Sequence, residues 1–366
     1  GQCGGVGYCS QECAFKDITN HSGECQVLSA WSQQPANIQK ATRGLRMFIR
    51  MVHAYKANQD LARITDTLES EPGAEGKENM LGMAGAVNRF VEPEAQLPAK
   101  QLAGLISKAQ RNLHGVVDLE GHNLGHGLYP LASYFNHSCA PNAVTSFEGQ
   151  ELVVRALEPV KADTEISIAY VELYAPRDVR RQQLQAKKAF MCMCSRCSID
   201  LANCPPRFAS EPKISHGRPD VATRAREGWD QGLLQFQADQ FKAARTTLDG
   251  VLSMSDGNLA PEHWVVYDTH KLMVDVCLSL DDAEGVAQHA RHTLRCMESV
   301  LHPQHPSVAL MNLHLANSLV QQGKPQEAEV HYKRANKILT VSYGAQHQES
   351  VKARKLLEAI KSTLKA

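Results

Sequence analysis

Three cysteines within six residues place the tightest constraint on how this chain of 366 residues can fold. Cys192, Cys194 and Cys197 form a Cys-x-Cys-x-x-Cys cluster, a spacing typical of metal-binding thiolates, and they leave a tetrahedral zinc ion one ligand short. Cys139 is the obvious donor of the fourth thiolate. The sequence therefore predicts a closed four-thiolate zinc site, which is structural because it keeps no open position for catalysis.

The segment around Cys139, residues 136–142 (NHSCAPN), is poorly suited to regular secondary structure. Pro141 lacks a backbone donor, and asparagine side chains prefer turns and caps. Such a segment is typical of a ligand-binding loop, and an ordinary capped turn is the alternative. Three short β-rich runs follow it, at 143–147, 151–157 and 164–169, and a hairpin signal joins the first two.

These residues, in this order and spacing, resemble the SET domain and post-SET zinc cluster of the SET and MYND family of protein lysine methyltransferases. The matching motifs are GHGLYP at 125–130, NHSCAPN at 136–142, IAY at 168–170, RR at 180–181 and FMCMCSRC at 190–197. The resemblance implies S-adenosylmethionine as the cofactor and methyl transfer to a lysine of a protein substrate. It also implies the small, bent sheets of a SET domain.

The resemblance implies roles for individual residues. Tyr170 would be catalytic, with its hydroxyl where the methyl donor meets the lysine amine, and a strand-end core aromatic is the alternative. The cofactor-binding residues would be Asn112, Asn136, His137, Phe190 and Tyr170 itself. For Phe190, which would stack near the adenine, packing beside the zinc cluster is a compatible interpretation. Without the resemblance, Asn112 would be interpreted as a helix C-cap.

The first 25 residues resemble the second half of a MYND zinc finger. Its candidate zinc ligands are Cys3, Cys9, Cys13, His21 and Cys25. In the family pattern Cys9 and Cys13 share one zinc ion with two upstream cysteines, and the other three share a second ion with one further upstream cysteine. Five of the eight ligands are thus present, and the family's Gly-x-Gly cofactor loop does not precede the finger. We therefore expect an N-terminally incomplete methyltransferase with a weakened finger.

Two positions depart from the family pattern. Lys188 stands two residues before Phe190, where the family commonly has an aromatic residue. His114 stands where a phenylalanine often lines the lysine channel. Both substitutions add polarity to a lysine channel that the resemblance implies is apolar. We therefore expect them to affect which substrate is accepted and how fast it is methylated.

The C-terminal part repeats with a period of 42 residues, which His263, His305 and His347 mark. Helical patterns occupy 222–254, 308–319 and 328–339. They are similar to the long variety of tetratricopeptide helix pair, which stacks into a curved layer because one pair cannot bury its apolar face alone. Two interpretations of the concave side stay open: it binds a protein, or it only buttresses the SET domain.

These patterns predict an α+β fold. A small β-rich SET domain carries a partial MYND finger and a helical insert, and an all-α tetratricopeptide-like domain follows. The predicted boundaries are 1–25 for the finger, 26–111 for the insert, 112–200 for the SET core and post-SET cluster, 201–220 for a linker and 221–366 for the repeats. Within the insert, clustered glycines and charges at 71–85 predict a flexible loop or the tip of an insertion.

Composition narrows the remaining function classes. The 39 basic and 39 acidic residues balance, and no basic stripe interleaved with aromatic residues signals direct nucleic-acid binding. No apolar run reaches the ~20 residues of a membrane span, and no signal peptide opens the sequence. Seven of the eleven cysteines lie in two tight sequence clusters of metal type, which the distant Cys139 joins as an eighth candidate ligand, and this usage favours a reducing compartment. We therefore expect a soluble protein of the cytoplasm, the nucleus or both.

The predicted partner is a protein substrate, a histone or another protein, with the finger or the repeats as a further peptide-binding surface. The competing hypothesis is a catalytically inactive, zinc-containing scaffold that binds partners through the finger and the repeats. The presence of Asn136, His137, Tyr170 and Phe190 together favours the enzyme, because a scaffold has no need of all four.

Overall fold

A computed structural model of the chain describes residues 3, 6–32, 36–71, 73–118, 123–200, 202 and 208–365. The chain divides into two compact units, the first formed by residues 1–117 and 123–134 and the second by 118–122 and 135–366. Part of the predicted linker, residues 201 and 203–207, lies outside the described residues. None of the described helices combines the length and the apolar character that a bilayer crossing requires.

Helices dominate the described part of the first unit. They are α1 (Gln11–Lys16), α2 (Ile18–Ser32), α3 (Ala36–Ala57), α4 (Gln59–Asp66), α5 (Glu78–Asn88) and α6 (Ala99–Asn112). Strands β1 (Leu113–Val117) and β2 (Asn123–Leu128) form an antiparallel pair. The first unit has its own core, in which Ile49 and Val52 of α3 and Leu102 and Ile106 of α6 are almost fully buried.

The prediction of a flexible loop at 71–85 is wrong for the second half of this stretch, which belongs to α5. Three apolar residues of α5 recur at helical spacing and are buried in the core of the first unit, namely Met80, Ala84 and Val87. Gly82 and Gly85 are exposed, with open space where a side chain would be. Burial of one apolar face therefore outweighs the low helix propensity of the two glycines.

Four short strands lie in the described part of the second unit. Strand β3 (Asn136–His137) runs parallel to β6 (Ser167–Ile168), and β4 (Ala143–Glu148) runs antiparallel to β5 (Glu151–Ala156). The predicted hairpin is present, and Gly149 takes the left-handed backbone conformation of its turn, at φ 65°. The strand predicted at 164–169 is only two residues long, because its partner β3 offers only two residues for pairing.

The rest of the second unit is mostly helical. Its helices are α7 (Arg177–Lys188), α8 (Pro219–Gln237), α9 (Phe241–Ser255), α10 (Trp264–Ser279), α11 (Ala283–Glu298), α12 (Pro306–Gln321), α13 (Pro325–Ser342) and α14 (Gln348–Thr363). From α8 onward each helix packs against the next one in the chain, so the predicted array of helix pairs is confirmed.

The 42-residue histidine period marks helix starts. His263, His305 and His347 are the N-cap residues of α10, α12 and α14. In each case the Nδ1 atom accepts a hydrogen bond from the backbone N–H two residues later, at 3.2–3.3 Å. An imidazole therefore does here what serine or aspartate does at most helix starts.

One apolar core joins the cysteine cluster to the repeats. Cys139 and Cys197 belong to the same group of buried apolar residues as Val274 of α10 and Leu315 of α12. Ile214, which lies in the predicted linker, is fully buried in that group as well. The described part of the linker is thus packed into the second unit.

Candidate functional site

The four cysteines predicted to bind zinc come together in the second unit. They are Cys139, which follows β3, and Cys192, Cys194 and Cys197, which follow α7. Their four Sγ atoms all lie within 4.8 Å of one another, and three of the four residues are buried. A tetrahedral ion with Zn–S bonds of about 2.3 Å sets its sulfur atoms about 3.8 Å apart. The donor set and its spacing therefore fit zinc.

A buried charge network, which the sequence analysis missed, supports this cluster. The Glu211 carboxylate receives the Arg180 guanidinium on Oε1 at 2.7 Å and the Arg196 guanidinium on Oε2 at 2.6 Å. Arg180 Nε also lies 3.2 Å from Cys139 Sγ, and Arg196 Nη1 donates to the Cys139 carbonyl at 3.2 Å. The two cations thus approach the sulfur cluster, where they offset the negative charge of thiolates.

His137 connects the cysteine cluster to Tyr170. The backbone N–H of Tyr170 donates to His137 Nδ1 at 3.0 Å, and His137 Nε2 lies 3.2 Å from Cys139 Sγ. Because Nδ1 is an acceptor, the neutral ring carries its proton on Nε2, directed at the sulfur. Burial lowers the pKa of His137 to about 4, which keeps the ring neutral at pH 7. Both ring nitrogens are engaged, so a cofactor contact by His137 would use its backbone.

The side chains of Tyr170, His137 and Phe190 form a cluster of rings. The His137 ring centroid lies 5.4 Å from that of Tyr170 and 6.2 Å from that of Phe190. The Tyr170 hydroxyl donates its proton to the Phe135 carbonyl. The Lys188 ammonium lies over the Tyr170 ring, 5.2 Å from its centroid. The predicted catalytic tyrosine is therefore held at its hydroxyl and covered by a cation on one face.

The asparagines of the 136–142 segment bind the chain around β6. Asn136 Nδ2 donates to Glu165 Oε1 at 2.7 Å. Asn142 makes two bonds, from its Nδ2 to the Glu165 carbonyl and from the Ser167 N–H to its Oδ1, each at 2.9 Å. Asn142 thus imitates a strand partner for β6, a role that the sequence analysis did not assign to it.

Asn112 lies in the first unit, as the last residue of α6. Its Nδ2 donates to the carbonyls of Glu69 and Lys108 at 2.9 and 2.8 Å. The C-cap residue of α6 is Leu113, so the C-cap interpretation of Asn112 is wrong by one residue, although its side chain does bond a carbonyl of the last turn. Its cofactor role stays a prediction.

Three of the predicted finger ligands form a second metal-type group, also in the first unit. The ligand atoms of Cys3, His21 and Cys25 all lie within 4.8 Å of one another. His21 Nδ1 lies 3.3 Å from Glu24 Oε1, which leaves Nε2 to face the sulfur of Cys3 at 3.5 Å. A carboxylate behind a ligating histidine is common in zinc sites, because it fixes the orientation of the ring. The group fits three of the four ligands of a zinc ion.

The two remaining finger cysteines, Cys9 and Cys13, place their sulfur atoms 3.3 Å apart. Their predicted zinc ion stays a prediction. The finger is held to α3 by a buried carboxylate, Glu24, which accepts two bonds of 2.7 Å from Arg46. Gly23 permits this packing, because a Cβ there would lie 2.6 Å from the His53 ring.

Comparison with known proteins links this arrangement to methyltransferases. The sequence pattern of the SET domain family matches residues 112–171. The histone-lysine N-methyltransferase ASHR1 of Arabidopsis thaliana is 32% identical over 209 residues, which are 54% of this chain and 43% of that protein.

Two animal proteins match along most of the chain. The histone-lysine N-methyltransferase SMYD3 of Mus musculus is 25% identical, covering 94% of this chain and 81% of its own length. The N-lysine methyltransferase SMYD2-B of Danio rerio is 24% identical, covering 95% and 82%. The chain thus spans under half of the plant relative and about four fifths of the animal ones.

Proposed function

The chain contains a SET domain and is related over most of its length to protein lysine methyltransferases of the SET and MYND type, and from this premise we propose that it methylates a lysine of a protein substrate. The observation that carries the proposal is the ring cluster of His137, Tyr170 and Phe190 beside the four-cysteine group. S-adenosylmethionine, when bound, supplies a methyl group made electrophilic by a sulfonium. The aromatic faces in this cluster suit such a cation.

Tyr170 would orient the lysine nucleophile. Because the hydroxyl proton is directed at the Phe135 carbonyl, the oxygen would act toward a lysine amine as an acceptor. It can then accept an N–H of a neutral lysine amine and hold the nitrogen lone pair in a fixed direction, which is the positional part of catalysis. In this role Tyr170 orients the amine and does not act as its base.

The substrate amine must lose its proton to become a nucleophile, and a free lysine side chain has a pKa of about 10.4. Burial disfavours the charged form, because it removes the water that hydrates the ammonium. The rings of Tyr170 and Phe190 would exclude that water from the amine, and the lost hydration outweighs the attraction of a ring face for the cation.

The cysteine cluster would have a structural role. Four thiolates close the coordination sphere of zinc and leave no position for a substrate. Through the contacts of His137 with Cys139 and with the Tyr170 backbone, the cluster would fix the position of the catalytic tyrosine. Asn136 and Phe190 would complete the cofactor site in the second unit.

A groove of about 660 Å³ in the second unit supports binding of a protein partner by the repeats. It lies between α7, α8 and α10, and its lining includes Tyr174, Trp229 and Trp264 together with Glu172 and Asp268. The groove also holds Lys271 and Arg226, and the Arg226 guanidinium lies over the Trp229 and Trp264 rings and pairs with Asp268 at 3.3 Å. Its charges are therefore mixed, and it suits a peptide segment that carries both acidic and apolar side chains as well as one that displaces Arg226 with a cation of its own.

The proposal is tested by methyl transfer from radiolabelled S-adenosylmethionine to core histones and to a panel of other proteins, with methyl-lysine identified by mass spectrometry. Tyr170→Phe should lower the rate by at least tenfold, because the neutral amine loses its hydroxyl acceptor. Tyr332→Phe is the matched control, since it removes a hydroxyl that donates to Asn317 within the repeats. That control should keep the rate of the unchanged chain.

Calorimetric titration of S-adenosylmethionine into the zinc-loaded chain separates cofactor binding from transfer. Asn136→Ala should weaken the binding. A folded, zinc-loaded chain that binds no S-adenosylmethionine and forms no methyl-lysine on any acceptor would refute the proposed activity for this polypeptide.

A further inference from the structure

Lys188 is placed on Tyr170 by the way in which α7 ends. The helix stops at Lys188 because Ala189 adopts the left-handed conformation, at φ 55° and ψ 37°, and its N–H bonds back to the Gln185 carbonyl. The next residue, Phe190, then approaches the His137 ring. Lys188 is therefore held at the ring cluster itself, and its ammonium lies within the ~6 Å over which a cation is attracted by an aromatic face.

This position matters for the substrate of the proposed reaction. A lysine whose amine meets the Tyr170 hydroxyl must pass its stem and its ammonium along the same aromatic surroundings. A second ammonium already at the Tyr170 ring competes for that face and repels the incoming one, and the repulsion is stronger where water is excluded. A carboxylate beside the target lysine would change this repulsion into attraction. The carboxylate can pair with the Lys188 ammonium and move that ammonium away from the Tyr170 ring.

We propose that Lys188 is a specificity-determining residue that competes with the target lysine for Tyr170, so that this enzyme selects lysines with an acidic neighbour in the substrate sequence. The inference rests on the proposed lysine methylation and names its substrate class. The acidic side chains are expected directly beside the target lysine in the substrate sequence. Basic segments farther along the substrate would lie elsewhere on the protein.

The test uses three fluorescent peptides that differ only in the residues on both sides of a single lysine, which are aspartate, asparagine or arginine. Their dissociation constants are measured by fluorescence polarisation on the zinc-loaded full chain with S-adenosylhomocysteine present. The unchanged chain should bind the aspartate peptide about tenfold more tightly than the arginine peptide, as expected for one close charge pair. Lys188→Met should remove most of this preference.

Charge reversal gives the sharpest outcome. Lys188→Glu should invert the order, so that the arginine peptide binds most tightly, and a variant that merely misfolds cannot produce such an inversion. Lys187→Glu is the matched control, since the neighbouring side chain is exposed and carries the same charge. It should keep the aspartate preference within about threefold, because exposed charges interact weakly.

The binding measurement also separates this inference from the proposed activity. An order of affinities that follows the charge at residue 188 supports the role of Lys188, even if no methyl group is transferred. Equal affinities for the three peptides, or a preference of the unchanged chain for arginine flanks, would overturn it. Methyl transfer measured on the same peptides then tests whether kcat/KM differs among them in the same order as the affinities.

Discussion

Glu211→Gln tests whether the buried charge network holds the cysteine cluster in place. Arg180 and Arg196 have at most 1% of their side chains exposed, and Glu211 has 2%. Removing one partner of a buried ion pair costs about 3–5 kcal/mol, because a charge is left without compensation. A loaded cluster offsets part of this cost: four thiolates and one Zn²⁺ carry two negative charges, which balance two guanidinium groups. We therefore expect Glu211→Gln to lower the free energy of unfolding by about 3 kcal/mol, the lower end of this range.

This free energy translates into a measurable melting temperature. For a unit of this size each kcal/mol corresponds to about 2–4 °C, so Glu211→Gln should lower the Tm of the second unit by about 6–12 °C. The same charge balance predicts a dependence on the metal. Once zinc is chelated, the raised pKa values of Cys139 and Cys192 make these two thiols neutral, and the two guanidinium groups keep less counter-charge apart from Glu211. In the zinc-free protein Glu211→Gln should therefore lower the Tm by more than it does in the zinc-loaded protein.

The assay is thermal unfolding followed by circular dichroism, with and without a zinc chelator. Asp220→Asn is the matched control, since it breaks an ion pair with Arg218 in which both side chains are more than half exposed. It should leave the Tm unchanged. An unchanged Tm for Glu211→Gln would refute the role of the network. An equal loss with and without zinc would refute the argument from charge balance.

Two further predictions concern the folded units themselves. Burial lowers the pKa of His270 to about 2 and that of His292 to about 4, whereas an unfolded chain protonates both near pH 6.5. The second unit should therefore keep its stability above about pH 7 and lose it as the pH falls from 6.5 toward 4, and urea unfolding with an unchanged midpoint across that window would contradict this. Gly23→Ala should destabilise the first unit by about 1–3 kcal/mol, because its new methyl group would meet the His53 ring. Gly44→Ala, in open space on α3, should stabilise it by up to about 1 kcal/mol, and effects of the same sign at both positions would refute the packing argument.

The sequence predicts the cysteine cluster well because metal binding restricts both residue type and spacing. Three ligands lie within six residues, so a single distant cysteine, Cys139, was enough to complete the group that the structure brings together. The helix pairs were predictable for a similar reason. Their period is visible in His263, His305 and His347, and the structure adds the cause, which is the capping of three helix starts.

The features that were missed depend on contacts between distant segments. Glu211 lies in a stretch whose composition indicates a linker, and nothing next to it in sequence shows that it will meet Arg180 and Arg196. The failure at 71–85 has a different cause. Local propensity dominated that prediction, whereas burial of the apolar face of α5 decides the outcome. The sequence shows Lys188 as a departure from the family pattern, whereas its contact with the Tyr170 ring is visible only in the three-dimensional structure.

The pairing of β3 with β6 sets an order of events during folding. The two strands are joined by a segment that contains the whole β4–β5 hairpin, and a hairpin forms locally within about 1–10 μs. Closing it shortens the effective loop between β3 and β6, so the parallel pair and the Asn142 bonds should follow it. We expect the thiols of Cys139 and of the later cysteines to meet after that step, because the segment between them contains the same hairpin. The yield of native protein on refolding would therefore depend on whether zinc is supplied before or after the backbone has collapsed.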